Sequence, residues 1–306
     1  MKSLYNYIFE NERLEDHLIN LYRRNSDGLS RHSKVHLMTR GNLINMFPRV
    51  KMVEVLKDNA ETLSDVIDLY RTDMDRLMQD YVLIGYRSDD RKKKIGELFE
   101  SVNDKYKKFL CLITILEMTY TYQRVDMLNL IDLESINSIV DECSDLIYEC
   151  INEDKYNFKK RAATKYINSI FYVSNLKNTL RGLSGINFDG SFFDGIVEYY
   201  VALYNEKPNA TTVYGITHIL IGASDFYQKK IDARYIPLVN VLYGVVTDKK
   251  SFDRLTLDLK IEILLCCKLF GREFDIDMTK YIDSVNLDEN EHTNMLYILL
   301  KKYRIK

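Results

Sequence analysis

The chain has no tryptophan, only 3 prolines and only 12 glycines in 306 residues. An all-β protein needs many such residues for its turns, so their scarcity argues for long helices joined by few tight connections. Nowhere is there a run of roughly 20 uncharged apolar residues, the length a membrane span requires. The first residues, MKSLYNYIFENERLEDH, lack the basic head and apolar run of a secretory signal, so none is expected. Glycine-rich dinucleotide, Walker, Gly-x-Ser-x-Gly and His-Glu-x-x-His motifs are all missing, which removes the commonest routes to a named chemistry. The formal net charge is −2, so no global field draws the chain to nucleic acid or to an acidic membrane.

The five cysteines, Cys111, Cys143, Cys150, Cys266 and Cys267, are odd in number and not spaced as a metal knuckle. They read as reduced thiols in a cytoplasmic protein. Adjacent positions on a helix point about 100° apart, so Cys266 and Cys267 are expected to be buried thiols, neither bridged nor sharing a metal. Hydrophobic residues make up 46% and charged residues 29%, which places the chain among ordinary globular proteins rather than disordered ones.

Helical periodicity runs through most of the sequence. Leu4, Ile8, Leu14, Leu18 and Leu21 form one apolar stripe, and Leu63, Ile67, Tyr70, Met74 and Leu77 another. A Ser-Asp-Asp cap at Ser88 predicts the start of a long helix reaching past Cys111. Four of the glycines, Gly182, Gly185, Gly190 and Gly195, fall within GLSGINFDGSFFDG, so residues 184–195 are expected to be an irregular connection. Shorter helices are expected after it, at Ile196–Tyr204, Thr211–Tyr227, Pro237–Val246, Leu255–Phe270 and Glu289–Tyr303. The loose unit is a helical hairpin of about 40 residues, the length class of α-solenoids and α/α toroids. The expected fold class is therefore all-α, with helical hairpins in an α/α-toroid or α-solenoid arrangement. The chain divides into a helical N-terminal portion, 1–150, and a helical-hairpin portion, 151–306, or forms one continuous domain.

Residues 211–228, TTVYGITHILIGASDFYQ, carry the clearest functional signal. On a helix at about 100° per residue, Ile216, Ile219, Leu220, Ala223 and Tyr227 share one face. Tyr214, His218, Ile221 and Asp225 share the opposite one. A surface helix would fill that second face with lysine and glutamate; here His218 and Asp225 are the only titrating charges. Two explanations stand: His218 is a core histidine whose ring is satisfied by a tyrosine or carboxylate, or it faces a ligand. In LDLKIEILLCCKLFG, Asp258 and Glu262 lie four apart on one helix face. Like charges at that spacing repel, so they either form a solvated edge beside Lys260 and Arg254 or share a site with a compensating partner.

These two stretches resemble an uncharacterised bacterial and archaeal helical family that pairs a Tyr-x-x-Thr-His helix, ending near an aspartate, with a later Asp-Leu-x-x-Glu-Leu-Leu helix. The matching residues are Tyr214, Thr217, His218, Asp225, Asp258, Leu259, Glu262 and Leu264, with Ile263 a conservative departure. The resemblance covers roughly residues 195–275. It implies an α/α-toroid-like fold and no particular activity.

Elsewhere the motifs read as bland. His32 and His36 have a metal-clipping spacing, but no third ligand is evident, and Arg31, Lys34 and Arg40 make the segment a basic surface. Asp73 and Asp80 could share a helix face while Asp75 points away, which does not make the magnesium site of an isoprenoid enzyme. The expected function is a helical binding or accessory protein whose concave or central face holds a peptide, a partner protein or a small molecule. The alternative is a cavity enzyme using His218 as general acid/base, with Asp225, Asp258 or Glu262 completing it. Candidate catalytic residues are His218, Asp258 and Glu262; candidate ligand-binding residues are Tyr214, Thr217 and Asp225. No metal, cofactor, nucleic acid or membrane is expected to take part.

Overall fold

The computed structural model describes residues 13–82, 104–152, 163–279, 282 and 286–304. The expected N-terminal stripe at Leu4 and Ile8 and the helix start at Ser88 lie outside these residues. Fourteen α-helices and no β-strand occur among the described residues, so the protein is all-α.

The chain forms two compact units, one of residues 1–55 and 194–306, the other of residues 56–193. The first unit therefore draws on both ends of the sequence.

The first unit holds α1 (Leu14–Asn25) and α2 (Arg31–Asn42). The second unit begins within α3 (Arg49–Thr72) and continues through α4 (Met74–Leu77), α5 (Asp104–Arg124), α6 (Leu133–Glu142), α7 (Ser144–Ile151) and α8 (Ala163–Leu176). Helix α5 is its core, buried from Phe109 through Leu116 and packed on α7 and α8. The buried Tyr122 hydroxyl donates to the Leu56 carbonyl at 2.8 Å and accepts from Asn59. Asp132 caps α6 by accepting from the amides of Glu134 and Ser135, each at 3.1 Å, the usual service of an aspartate at a helix start.

The glycine-rich connection is irregular only as far as Asp189. Helix α9 (Gly190–Glu206) begins at the next residue, because the Asp189 carboxylate accepts from the Phe192 amide at 2.9 Å and nucleates the first turn. The capping signal in NFDGSFF outweighs the helix-breaking tendency of two glycines.

The first unit continues from Asp194 of α9 through α10 (Ala210–Ala223), α11 (Ile236–Thr247), α12 (Lys249–Asp253), α13 (Leu257–Leu269) and α14 (Glu291–Lys302). Helix α13 packs on α10, α11 and α14, and α14 packs in turn on α1 and α2. The sequence leaves Asp258 and Glu262 of α13 either as a solvated edge beside Lys260 and Arg254 or as part of a shared site. The helix is buried nearly all round, from Leu259 through Cys267, so Glu262 and Lys260 are not a solvated edge. All five cysteines are free and buried. Burial pushes the Cys267 thiol up to about 12, and Cys266 Sγ contacts the Thr217 carbonyl at 3.7 Å.

Helix α10 starts where Asn209 accepts from the Thr212 amide at 3.0 Å. It stops four residues short of the expected end. The Asp225 amide donates to the Gly222 carbonyl and the Phe226 amide to the Ile221 carbonyl, while Asp225, Phe226 and Tyr227 take positive φ of 54°, 51° and 75°. This is a Schellman termination with aspartate where glycine is usual, and aspartate is among the side chains that tolerate that conformation best. The helical geometry that aligned Asp225 with Tyr214 and His218 therefore does not apply to it. Helix α13 ends the same way with Gly271 at φ 79° in the left-handed position.

Gly215 has a different role. A Cβ there would stand 2.3 Å from Cε1 of the buried Tyr200 ring of α9. Gly215→Ala is expected to lower stability by about 1–3 kcal/mol through overpacking, read as a shift of the urea midpoint; an unchanged midpoint would show that the ring moves aside without cost.

Candidate functional site

The carboxylates expected on α13 do meet the expected residues of α10. Tyr214 donates its hydroxyl to Oδ2 of Asp258 and lies 3.0 Å from Oγ1 of Thr256, the residue preceding α13. One turn further in, Thr217 donates to Oε2 of Glu262 at 2.9 Å. Tyr214 and His218 are half-buried, as is Asp258, whereas Glu262 is 3% exposed and Thr217 fully buried. The spacing of four on each helix puts Tyr214 beside Asp258 and brings His218 close enough to Glu262 to act on its charge. His218 is thus neither sealed in the core nor on an open surface.

The other oxygen of Glu262 faces a residue that the sequence did not single out. Oε1 lies 3.6 Å from Nε2 of His292, in the first turn of α14. The Nδ1 of the same ring lies 3.0 Å from Nη1 of Arg40 on α2. The neighbouring Glu291, 2% exposed, approaches Nδ1 of His36 at 3.5 Å. The rings of His36 and His292 are 6.1 Å apart, and the His32 ring lies 4.6 Å from that of His36, tilted by 41°. Helix α2, which reads as a basic surface, therefore carries Arg40 and His36 into the site, and only His32 of the three is exposed.

Four helices of one unit supply this cluster. Two buried carboxylates, Glu262 and Glu291, each sit behind an imidazole that is roughly one-third exposed, at 30% and 31%. No local signal in the sequence marks His292 and Arg40; their partners are 30 and 252 residues away.

Electrostatics follow from this arrangement. Burial by itself would raise the Glu262 carboxyl, but the bond with His292, the charges of His218 and His292, and the Thr217 hydroxyl outweigh it and hold the group below its ordinary value. Asp258 is also lowered: burial opposes this, while Thr256, Tyr214, the Leu259 amide and His292 favour its ionised form. Tyr214 is pushed well above the usual phenol range, first by burial and then by its bond to Asp258. It is a neutral donor at any ordinary pH.

Among the described residues, no group of three or more histidine, cysteine or acidic side chains has the geometry to hold a metal ion. Two surface clefts of the first unit lie elsewhere. One, of about 520 Å³, is lined by Arg23, Asn45, Met46, Phe47, Pro48 and Lys51. The other, of about 400 Å³, includes Asp16, Lys302 and Arg304. Both are shallow and open, whereas the cluster around Glu262 has the convergent buried polar groups that fix a ligand's orientation, so it is the stronger candidate.

The chain matches no family model, no curated protein and no solved structure, so the reading of the site rests on its own geometry.

Two measurements check this arrangement. Thr217→Val removes the hydroxyl that donates to a buried charged oxygen and is expected to cost about 1.5–3 kcal/mol of folding stability; a loss within error would mean that Glu262 finds water instead. The second is acid stability. A carboxyl held low in the folded state contributes stability that is complete above its ordinary value, 4.5 for Glu262 and 3.8 for Asp258, and is lost as pH falls through the lowered folded value. Wild-type stability is expected to fall below pH 4.5, and Glu262→Gln to fall less steeply there; parallel curves would contradict the ionised, partnered Glu262.

Proposed function

We propose that the first unit is a binding unit whose face of Tyr214, His218, His292 and Arg40 holds a small molecule or a peptide by a polar group. The observation that carries this reading is the ionised Glu262 buried between two half-exposed imidazoles on different helices. A carboxylate kept only for packing would be costly, since replacing such groups with apolar ones is often neutral or stabilising. Set behind solvent-reaching rings, it orients them, as a binding site requires. Thr217 and Tyr214 hold the two carboxylates in place, and the clefts near Arg23 and Lys302 offer no comparable convergence. Within the same reading, the helices form hairpins of an α-solenoid or α/α-toroid type. Support for this comes from chain neighbours α10 and α11, α11 and α12, and α13 and α14, which pack pairwise, and solenoid folds are mostly binders. The free buried thiols and a net charge of −2 favour a cytoplasmic setting without nucleic acid or membrane as partner; among the described residues, no helix is long and apolar enough to cross a membrane.

A second reading makes His218 a general acid/base with Glu262 as its orienting carboxylate. The electrostatic link between the two is the feature that favours it. Both readings need His218 for function rather than for folding. Saturation-transfer NMR with a panel of organic acids, amines, sugars and short peptides is expected to find a bound molecule whose signal disappears in His218→Ala. The variant's urea stability should stay within about 1 kcal/mol of wild type, since Glu262 keeps Thr217 and His292 when the half-buried ring is removed. A larger stability loss with an unchanged ligand spectrum would reduce His218 to a structural hydrogen-bonder. Turnover of a bound molecule by wild type but not His218→Ala would select the enzyme reading.

A further inference from the structure

The turn between α2 and α3 builds a groove that the Glu262 site does not use. Gly41 lets the chain fold back closely on α2: a Cβ there would stand 3.2 Å from both the Phe47 ring and Met46 Cβ. Asn45 takes a left-handed φ of 52°, and the Met46 amide returns to the Gly41 carbonyl at 2.8 Å. Asparagine is one of the few side chains that hold this conformation readily. Pro48 then leads into α3, its carbonyl accepting from the Lys51 amide at 3.1 Å. Arg23 of α1 is fastened to this turn by donating Nε–H to the Met46 carbonyl at 2.8 Å.

The clefts of about 520 and 400 Å³ both include Arg23 and Asn45, so they join into one open groove. Leu43 and Ile44 in one part, and Phe47 and Pro48 in the other, give it an apolar floor. Its cations are Arg23, Lys51, Lys302 and Arg304, against Asp16 as the carboxylate among the described lining residues. Lys302 takes up Asp16 at 2.7 Å, and Lys51 pairs at 3.1 Å with Asp27, which is 87% exposed. Among the described residues, no carboxylate pairs with Arg23 or Arg304, both exposed. Arg23 has its Nε engaged and keeps both Nη groups as a fork, the geometry that receives a carboxylate. The exposed Asn45 amide at the join offers both a donor and an acceptor, the complement of a peptide group.

We propose that this groove docks an acidic, partly apolar peptide segment of a partner protein. The uncompensated guanidiniums call for carboxylates, and the floor calls for apolar side chains between them. A free inorganic anion would leave that floor uncovered. Single-stranded nucleic acid is a poorer match, because it stacks on successive aromatic side chains. The described lining offers Phe47 alone for this, and the chain's net charge is −2. An open groove suits a peptide laid along it better than a small molecule enclosed by it. Lys302 lies about 15 Å from His292 along α14, at about 1.5 Å per residue. The groove shares no residue with the Glu262 cluster, so it stands apart from the binding site proposed there.

The test is fluorescence anisotropy on the full-length protein, with a short labelled peptide that alternates aspartate or glutamate with leucine or phenylalanine. The peptide is expected to bind in the micromolar range and to weaken as salt rises, since the charges it meets are exposed. Its counterpart with asparagine and glutamine in place of the acids should bind at least about tenfold more weakly. Polyglutamate, which keeps the charge without the apolar side chains, should also bind at least about tenfold more weakly. Asn45→Gly suits the left-handed backbone but removes the amide, and should weaken binding about three- to tenfold, the worth of one hydrogen bond. Arg23→Gln should cost at least about tenfold, and the exposed Arg304→Gln about threefold. Arg24, an exposed arginine of α1 outside the lining, is the control, and Arg24→Gln should stay within about twofold. Asn45→Gly and Arg304→Gln are surface changes, so the groove is tested even if Arg23→Gln fails to fold. Absence of binding, equal binding of the amide peptide or of polyglutamate, or preference for a single-stranded RNA would each overturn the assignment. So would an equal loss in Arg24→Gln and Arg304→Gln. A dimer that Arg304→Gln dissolves would make a second copy of the chain the occupant and overturn it as well.

Discussion

The first unit is organised around a carboxylate that water cannot reach. Moving an ionised glutamate out of solvent costs several kcal/mol unless hydrogen bonds and opposite charge replace its hydration. Glu262 has these replacements from two helices: a hydroxyl from Thr217 of α10 and an imidazole from His292 of α14. Helix α13 is apolar on nearly every side, so apolar packing alone would tolerate several rotations and registers. The carboxylate singles out one, because only one rotation brings Oε2 to Thr217 and Oε1 to His292. The placing of Tyr214 on Asp258 one turn earlier follows from the same register.

A second anchor of the same kind joins the two ends of the sequence. Glu291 faces His36, and Arg40 faces His292, so α2 and α14 are held by two polar contacts, made by residues one turn apart on α2 and by adjacent residues at the start of α14. Neighbouring contacts reinforce the pairing. Ser30 donates to Asp288 at 2.9 Å, and Tyr22 donates to the Leu287 carbonyl while accepting from Asn294. The candidate site is thus completed by residues from both termini of a discontinuous unit. Losing the first helices would remove Arg40 and His36 from the site as well as apolar contacts from the core.

Much of this was legible in the sequence wherever the physics is local. The scarcity of glycine and proline and the three-and-four spacing of apolar residues are short-range signals, and they correspond to an all-helical chain with helices close to the expected positions. The absence of lysine and glutamate from the Tyr214–His218 face was informative because a face that contacts other helices cannot carry solvated charge. The spacing of Asp258 and Glu262 placed them on one face of a single helix, though not inside the core. Asp225 was misplaced for a local reason too: the helix-stopping left-handed turn uses an aspartate where glycine is the usual marker, so periodicity ran on past the true end.

What the sequence determined by itself, then, is which segments are helical and which face of α10 is unsuited to water, because both depend on neighbours within a turn or two. The partners across that face were decided only by tertiary structure. His292 and Arg40 carry no local signature, since a histidine at a helix start and an arginine in a basic helix are common surface residues. Their meaning arises from a contact spanning 252 positions and from the low-dielectric surroundings of Glu262 between them, and neither is encoded in any window of sequence that a helix period can span.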